Sequence, residues 1–149
     1  MSQQGRTEKL DVILKKAEEF HGHLGPFLTL GVRMGLIGIR ELAARRNEGE
    51  LRVTAILEYS VPFSCVIDGV QVATKCTIGN KKLSLQSSPG IAARFELQKE
   101  DVTVMVNPDT FDRLNDQLLS ENVSPEEVRK LAHFVASIPE GELFIIRRR

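Results

Sequence analysis

GIAARFELQKEDVTVMVNP, from Gly90 to Pro108, is the stretch on which the fold turns. Two runs rich in apolar and β-branched residues flank a charged junction at Lys99-Glu100-Asp101. The pattern predicts two strands joined by a tight connection. Strands with no helix between them pair antiparallel, because a parallel pair needs a long crossover. That favours an α+β fold over a wound parallel sheet.

Working upstream, LRVTAILEY alternates and predicts a strand over Leu51–Glu58. Pro62 stops it, and Ser64 is placed to cap a short helix from Cys65 to about Thr74. TIGNKKLSLQ reads as a turn at Gly79-Asn80 and then a short strand. Nearer the start, Leu10, Ile13, Leu14 and Ala17 form a helical stripe within Thr7–Phe20. A second helix is expected from Pro26 to about Arg46, since proline suits a first helical turn. Its Gly31 and Gly35 share one face and predict close approach of another helix, within the chain or across a dimer. Downstream, Asp109–Leu119 is expected to be helical. Ser124-Pro125-Glu126-Glu127 is a capping box opening a helix to about Ser137. ELFIIR closes the chain as a strand or an extended arm. The expectation is a single α+β domain over residues 1–149, an antiparallel sheet packed with helices.

Charge narrows the function classes. The 149 residues carry 20 Lys and Arg against 20 Asp and Glu. A zero balance argues against a broad nucleic-acid-binding face, which requires clustered basic residues. No apolar run approaches a membrane span, and no charged-then-apolar leader precedes Leu10. With only two cysteines, a cytoplasmic protein with reduced thiols is expected. Two thiolates cannot build a four-cysteine zinc module, so any metal would need mixed ligands.

Three places carry candidate chemistry. Cys65 opens a predicted helix, where free N–H groups and the helix dipole lower a thiol pKa. Asp68 lies one turn on, and Gln71 continues the same side, while Val66, Val70 and Ala73 fall opposite. The helix thus separates a polar face from a packing face. His21 and His23 flank Gly22 at a helix junction. Their imidazoles suit zinc, nickel, iron or copper, although H-x-H alone is a weak metal signal with capping or plain exposure as its rival. Taken with Cys65 and Asp68, they form a mixed set of the exchangeable or catalytic kind. Cys76 reads as a solvent-poor structural cysteine, with a second ligand or redox partner as the rival. His133, among Leu131, Ala132 and Phe134, reads as a surface or packing histidine. No phosphate loop, serine elbow or dinucleotide fingerprint is present.

FHGHLGPFLTLGVRMG (20–35), CVIDGVQVATKCTIGN (65–80) and the KKLSL after it, taken in order, resemble the E-subunit family of formylmethanofuran dehydrogenase and its stand-alone relatives. The resemblance covers roughly Phe20 to Asn107. It implies an α+β core forming an intertwined homodimer with a metal site. It points to His21 and His23 in the first motif, Cys65, Asp68 and Gln71 in the second, and Cys76 and Thr77 in the third. Many members have glycine where this chain has Lys75, and some carry a C-terminal cysteine-rich zinc finger, whereas no cysteine follows Cys76 here. The named complex reduces carbon dioxide on methanofuran with a tungsten or molybdenum pterin held by another subunit. No pterin pocket or iron–sulfur ligand set is visible in this sequence.

The functional expectation is therefore a cytoplasmic metal-binding protein, an accessory or sensing subunit linked to redox metabolism. His21, His23 and Cys65 are the expected ligands, with Asp68, Gln71 and Cys76 as supporting groups or further ligands. Zinc is the first choice of metal, with nickel or iron as alternatives. The partners expected are a second copy, through the glycine-bearing helix and the terminal strand, and redox-enzyme subunits. Two rival expectations are a metal-dependent enzyme acting on a small molecule and a metal-free enzyme with Cys65 as nucleophile.

Overall fold

The computed structural model describes residues 3–119 and 123–149. The elements run α1 (Gln3–His21), α2 (Pro26–Glu41), β1 (Arg52–Leu57), α3 (Cys65–Thr74), β2 (Leu83–Gln86), β3 (Ile91–Leu97), β4 (Glu100–Val106), α4 (Pro108–Leu119), α5 (Pro125–Ser137), α6 (Glu140–Leu143) and β5 (Phe144–Arg148). The strands form one sheet in the order β2-β1-β3-β4-β5. The architecture is α+β, as the strand run predicts.

Three details differ from the expectation. The β3–β4 turn is tighter than Lys99-Glu100-Asp101, because Gln98 takes a left-handed φ of 58° and lets Glu100 pair with Leu97. β2 pairs parallel to β1, Val53 opposite Leu83, so the sheet is mixed. α3 and the loops around it supply the crossover that a parallel pair needs. Finally, α2 stops at Glu41, since Ala43 turns to φ 52° and its N–H bonds the Arg40 carbonyl.

Side chains that alternate inward from the sheet (Val53, Ala55, Leu57, Phe95, Val102, Val104 and Val106) are buried under α2 and its neighbours. The opposite face carries a row in register across four strands, Ile56–Ala92–Met105–Ile145. Ser124 caps α5 by accepting from the Glu127 N–H at 3.1 Å, the capping box read from the sequence.

The centre of the helical layer is the crossing of α2 and α3. A Cβ on Gly31 would collide with the Val66 carbonyl oxygen, and one on Gly69 with that of Leu28. A Cβ on Gly35 would lie 2.6 Å from the Ala73 Cβ. The glycine face of α2 is therefore filled by α3 of the same chain, and it is not available to a second copy.

At the end of α3, Lys75 sits at φ 65° and its N–H bonds the Gln71 carbonyl at 2.8 Å. This is the left-handed helix-closing position that glycine fills most readily, which explains the glycine expected there in relatives. Two measurements test this packing. Gly31→Ala and Gly69→Ala should each destabilise by about 3 kcal/mol or more in urea unfolding, whereas Gly141→Ala, with open space around it, should change little. Lys75→Gly should leave stability unchanged or raise it by up to about 1 kcal/mol.

Candidate functional site

The site is assembled where α1 ends against the first turns of α3. Gly22, at φ 105°, closes α1 through its N–H to the Glu18 carbonyl at 2.8 Å. The reversal leaves His21 as the last helical residue, facing α3. The chain re-enters helix at Pro26 behind Gly25, which is extended and gives no side-chain cap. The Thr29 hydroxyl and N–H both bond the Gly25 carbonyl instead, at 2.9 and 3.1 Å.

His21 Nδ1 lies 2.6 Å from Asp68 Oδ2. An ionised carboxylate only accepts, so Nδ1 carries the hydrogen and donates it. In the neutral ring this leaves Nε2 with its lone pair. This atom is buried and has no hydrogen-bond partner among the described residues. Asp68 Oδ1 accepts from Gln71 Nε2 at 3.3 Å, and Gln71 Oε1 accepts from the Ile78 N–H at 3.0 Å. A line of hydrogen bonds thus runs from the loop after α3, through Gln71 and Asp68, to His21. It is the kind of outer support that fixes the ring and tautomer of a ligating or proton-accepting histidine.

The His23 ring stands beside that of His21, centroids 4.7 Å apart and tilted by 45°. It lies over Gly25, where a Cβ would come within 3.9 Å of the imidazole. Cys65 is half-buried at the head of α3, one turn before Asp68, and packs against the main core. Among the described residues, no three His, Cys, Asp or Glu side chains converge closely enough to hold a metal ion. The arrangement brings together His21, Asp68 and Gln71, with His23 alongside His21.

The thiol expectation is reversed. Burial, and then the Asp68 charge, push the Cys65 thiol above its ordinary pKa. The lowering expected from a helix start is outweighed by these two; the helix is entered through a turn, and Ser64 is itself helical without a side-chain cap. The N–H groups of Cys65, Val66 and Ile67 already bond the carbonyls of Pro62, Phe63 and Ser64 at 3.0–3.1 Å. The Cys65 N–H still pulls the thiol pKa down, but burial and the Asp68 charge outweigh it.

Cys76 belongs to the core. It is fully buried, its thiol lies 3.5 Å from the Leu51 carbonyl, and burial pushes its pKa up. Thr77 takes part in a loop knot. Its N–H and hydroxyl exchange bonds with the Asn80 side chain and N–H at 2.9 and 3.0 Å, while Asn80 also reaches Lys75 and Lys82. The third motif thus shapes the loop that delivers the Ile78 N–H to Gln71. His133 is exposed, near enough to Glu18 for their charges to interact.

Sequence reasoning missed the apolar surroundings of the site. Phe20 (61 % exposed) precedes His21, and Ile78 (51 %) is tied to Gln71. Tyr59 (74 %) and Val61 (82 %) stand in the loop leading to Cys65. Single exposed apolar residues are ordinary, and these four fall in the segments that adjoin His21, Gln71 and Cys65 in the chain. The signal in the sequence was weak, because each falls next to a turn or helix end and outside any periodic stripe.

The fold and the placing of these side chains define an α+β protein of the FmdE type. A family model described as FmdE, molybdenum formylmethanofuran dehydrogenase operon, matches residues 20–145, and the chain belongs to that family. A curated protein of Archaeoglobus fulgidus, described as a probable S-adenosyl-L-methionine-binding protein, is 31 % identical over 156 aligned positions, covering 90 % of this chain and 42 % of that protein. The chain therefore spans about two fifths of that relative's length. A solved structure of a tungsten formylmethanofuran dehydrogenase FmdE-like protein from Syntrophus aciditrophicus superposes with a TM-score of 0.62 at 20 % identity, covering 94 % of this chain and 71 % of that one. At that identity the likeness shows the fold.

The raised thiol gives a direct test. A thiolate beside Asp68 is disfavoured, so iodoacetamide should modify Cys65 slowly near neutral pH and faster only well into the alkaline range. Asp68→Asn removes the opposing charge, lowers the thiol pKa and should speed alkylation near pH 8 by roughly twofold to tenfold.

Proposed function

We propose that this chain is a metal-binding module of the FmdE family, in which His21 Nε2 is a ligand to a divalent transition metal. The observation that carries this is the buried, unpartnered Nε2 of an imidazole whose other nitrogen is fixed by a carboxylate. That is the ordinary condition of a histidine ready to ligate. His23 and Cys65 are the further ligands proposed, with Asp68 and Gln71 holding the orientation. Imidazole and thiolate donors favour zinc, then nickel or iron. The raised thiol pKa means that a metal taking Cys65 displaces its proton, so affinity would rise with pH.

The described residues of one chain present too few converging donors, and water or a second copy would supply the rest. The exposed Phe20, Tyr59, Val61 and Ile78 give a second copy something to cover. The open sheet face, with its Ile56–Ala92–Met105–Ile145 row, gives it another surface. A homodimer built on these surfaces, in place of the α2 glycine face, is part of the reading. So are a cytoplasmic location and an accessory or sensing role beside redox-enzyme subunits, which rest on the family. No helix among the described residues is long and apolar enough to cross a membrane.

A second reading rests on the same pair. A carboxylate-bound imidazole with a free opposite nitrogen is also a general base, and the Archaeoglobus relative's name suggests S-adenosyl-L-methionine as a small molecule to try. Cys65 as an activated nucleophile is disfavoured by its raised pKa.

Metal analysis of protein prepared without a histidine tag separates these readings. Near-stoichiometric zinc, nickel or iron, falling at least about tenfold in His21→Ala, supports the first. Metal-free protein that binds S-adenosyl-L-methionine by calorimetry supports the second and sinks the first. For the assembly, light scattering at micromolar concentration should give a dimer mass that shifts toward the monomer in Met105→Glu. A monomer in the parent protein would end the dimer proposal.

A further inference from the structure

A groove of about 820 Å³ runs between α1, α2 and α6, on residues that take no part in the His21–Asp68 site. Its walls are aliphatic, with Leu10, Leu36, Ile37, Ala43 and Ala44 among them. Charged groups stand along it, and their pairing is uneven. Arg40 grips Glu140 with two nitrogens at 2.6 and 2.9 Å and also bonds Glu41 at 3.1 Å. Arg148 reaches Glu41 as well, at 3.5 Å. Both groove carboxylates are therefore held by arginines.

Arg33 is in a different position. It is half-buried in the groove wall, with its guanidinium 5.7 Å from the centre of the Phe144 ring. Its Nη1 donates to the Val135 and Ile138 carbonyls, at 2.8 and 2.6 Å. No carboxylate of a described residue lies within ion-pair distance of it. Glu140 contributes only a longer-range attraction that partly offsets the cost of burial. A guanidinium drawn out of water without an anion is costly, and its planar fork matches a carboxylate.

We propose that this groove binds an organic carboxylate with an aliphatic body, its anionic head on Arg33 and its chain along Leu36, Ile37 and Ala43. Charge complementarity selects the head, and the aliphatic walls select the body. A polar anion such as phosphate would leave the walls uncovered. A neutral chain would leave Arg33 unmatched.

Octanoate is the probe, followed by amide chemical shifts of the full chain, with octan-1-ol as the neutral control. Saturable shifts centred on Leu36, Ile37, Ala43 and Ala44, with a dissociation constant below about 1 mM, are expected. Octan-1-ol should bind at least about tenfold more weakly, and Arg33→Gln should weaken octanoate by a similar factor. If Arg33→Gln does not fold, the comparison of octanoate with octan-1-ol on the parent protein decides alone. Absence of saturation, shifts centred elsewhere, or equal binding of the alcohol would each overturn the proposal.

Discussion

The backbone contact between α2 and α3 is the constraint on which the rest of the molecule depends. Gly31 and Gly69 let two helices approach until the carbonyls of Val66 and Leu28 occupy the space of missing side chains. Such proximity fixes the position of α3 along and across α2 far more tightly than interdigitating side chains would. Because α3 also packs on α1, the head of α3 is held at the C-terminus of α1. The meeting of Asp68 with His21 is thus a product of core geometry, settled well away from either side chain.

α3 then has two tasks that its sequence keeps apart. Val66, Val70 and Ala73 are buried in the helical layer. Asp68 and Gln71 look the other way, toward α1 and the loop carrying Ile78, while Cys65 packs half-buried against the core. The same helix bridges the parallel pair β1–β2, so the loop after it must return to the sheet edge. Asn80 stabilises that return by bonding three backbone groups, the N–H of Thr77, the N–H of Lys82 and the carbonyl of Lys75. A motif that looks like a ligand sequence, Cys76-Thr77, is mostly loop architecture with a core thiol beside it.

Most of the fold was legible because local chemistry and tertiary packing agree along it. Helix α3, the capping box at Ser124 and the β3–β4 hairpin follow from residues within a few positions of each other. The parallel placement of β2 was not legible, since it depends on where α3 docks. The early end of α2 at Glu41 was hidden because helix-favouring residues continue past it. At the site, His21, His23, Cys65, Asp68 and Gln71 were marked by residue type and spacing. The direct His21–Asp68 bond was not, because those residues are 47 positions apart and meet only through the glycine crossing. The behaviour of Cys65 was misread because the sequence shows where a helix starts without showing how far its first side chain is buried.

The hydrogen bonds behind His21 converge on Asp68. Ile78 gives to Gln71, Gln71 gives to Asp68, and His21 gives to Asp68 from its other side. Every donor in this line is directed inward, so the end facing away from Asp68 is an electron pair. With its ring neutral, His21 offers that electron pair to an electron-poor visitor, a cation or a proton. Arg33, across the α2 layer, offers the opposite: N–H groups and a positive charge with no electron pair to give. The two proposed sites thus differ in sign, one suited to a cation and the other to an anion.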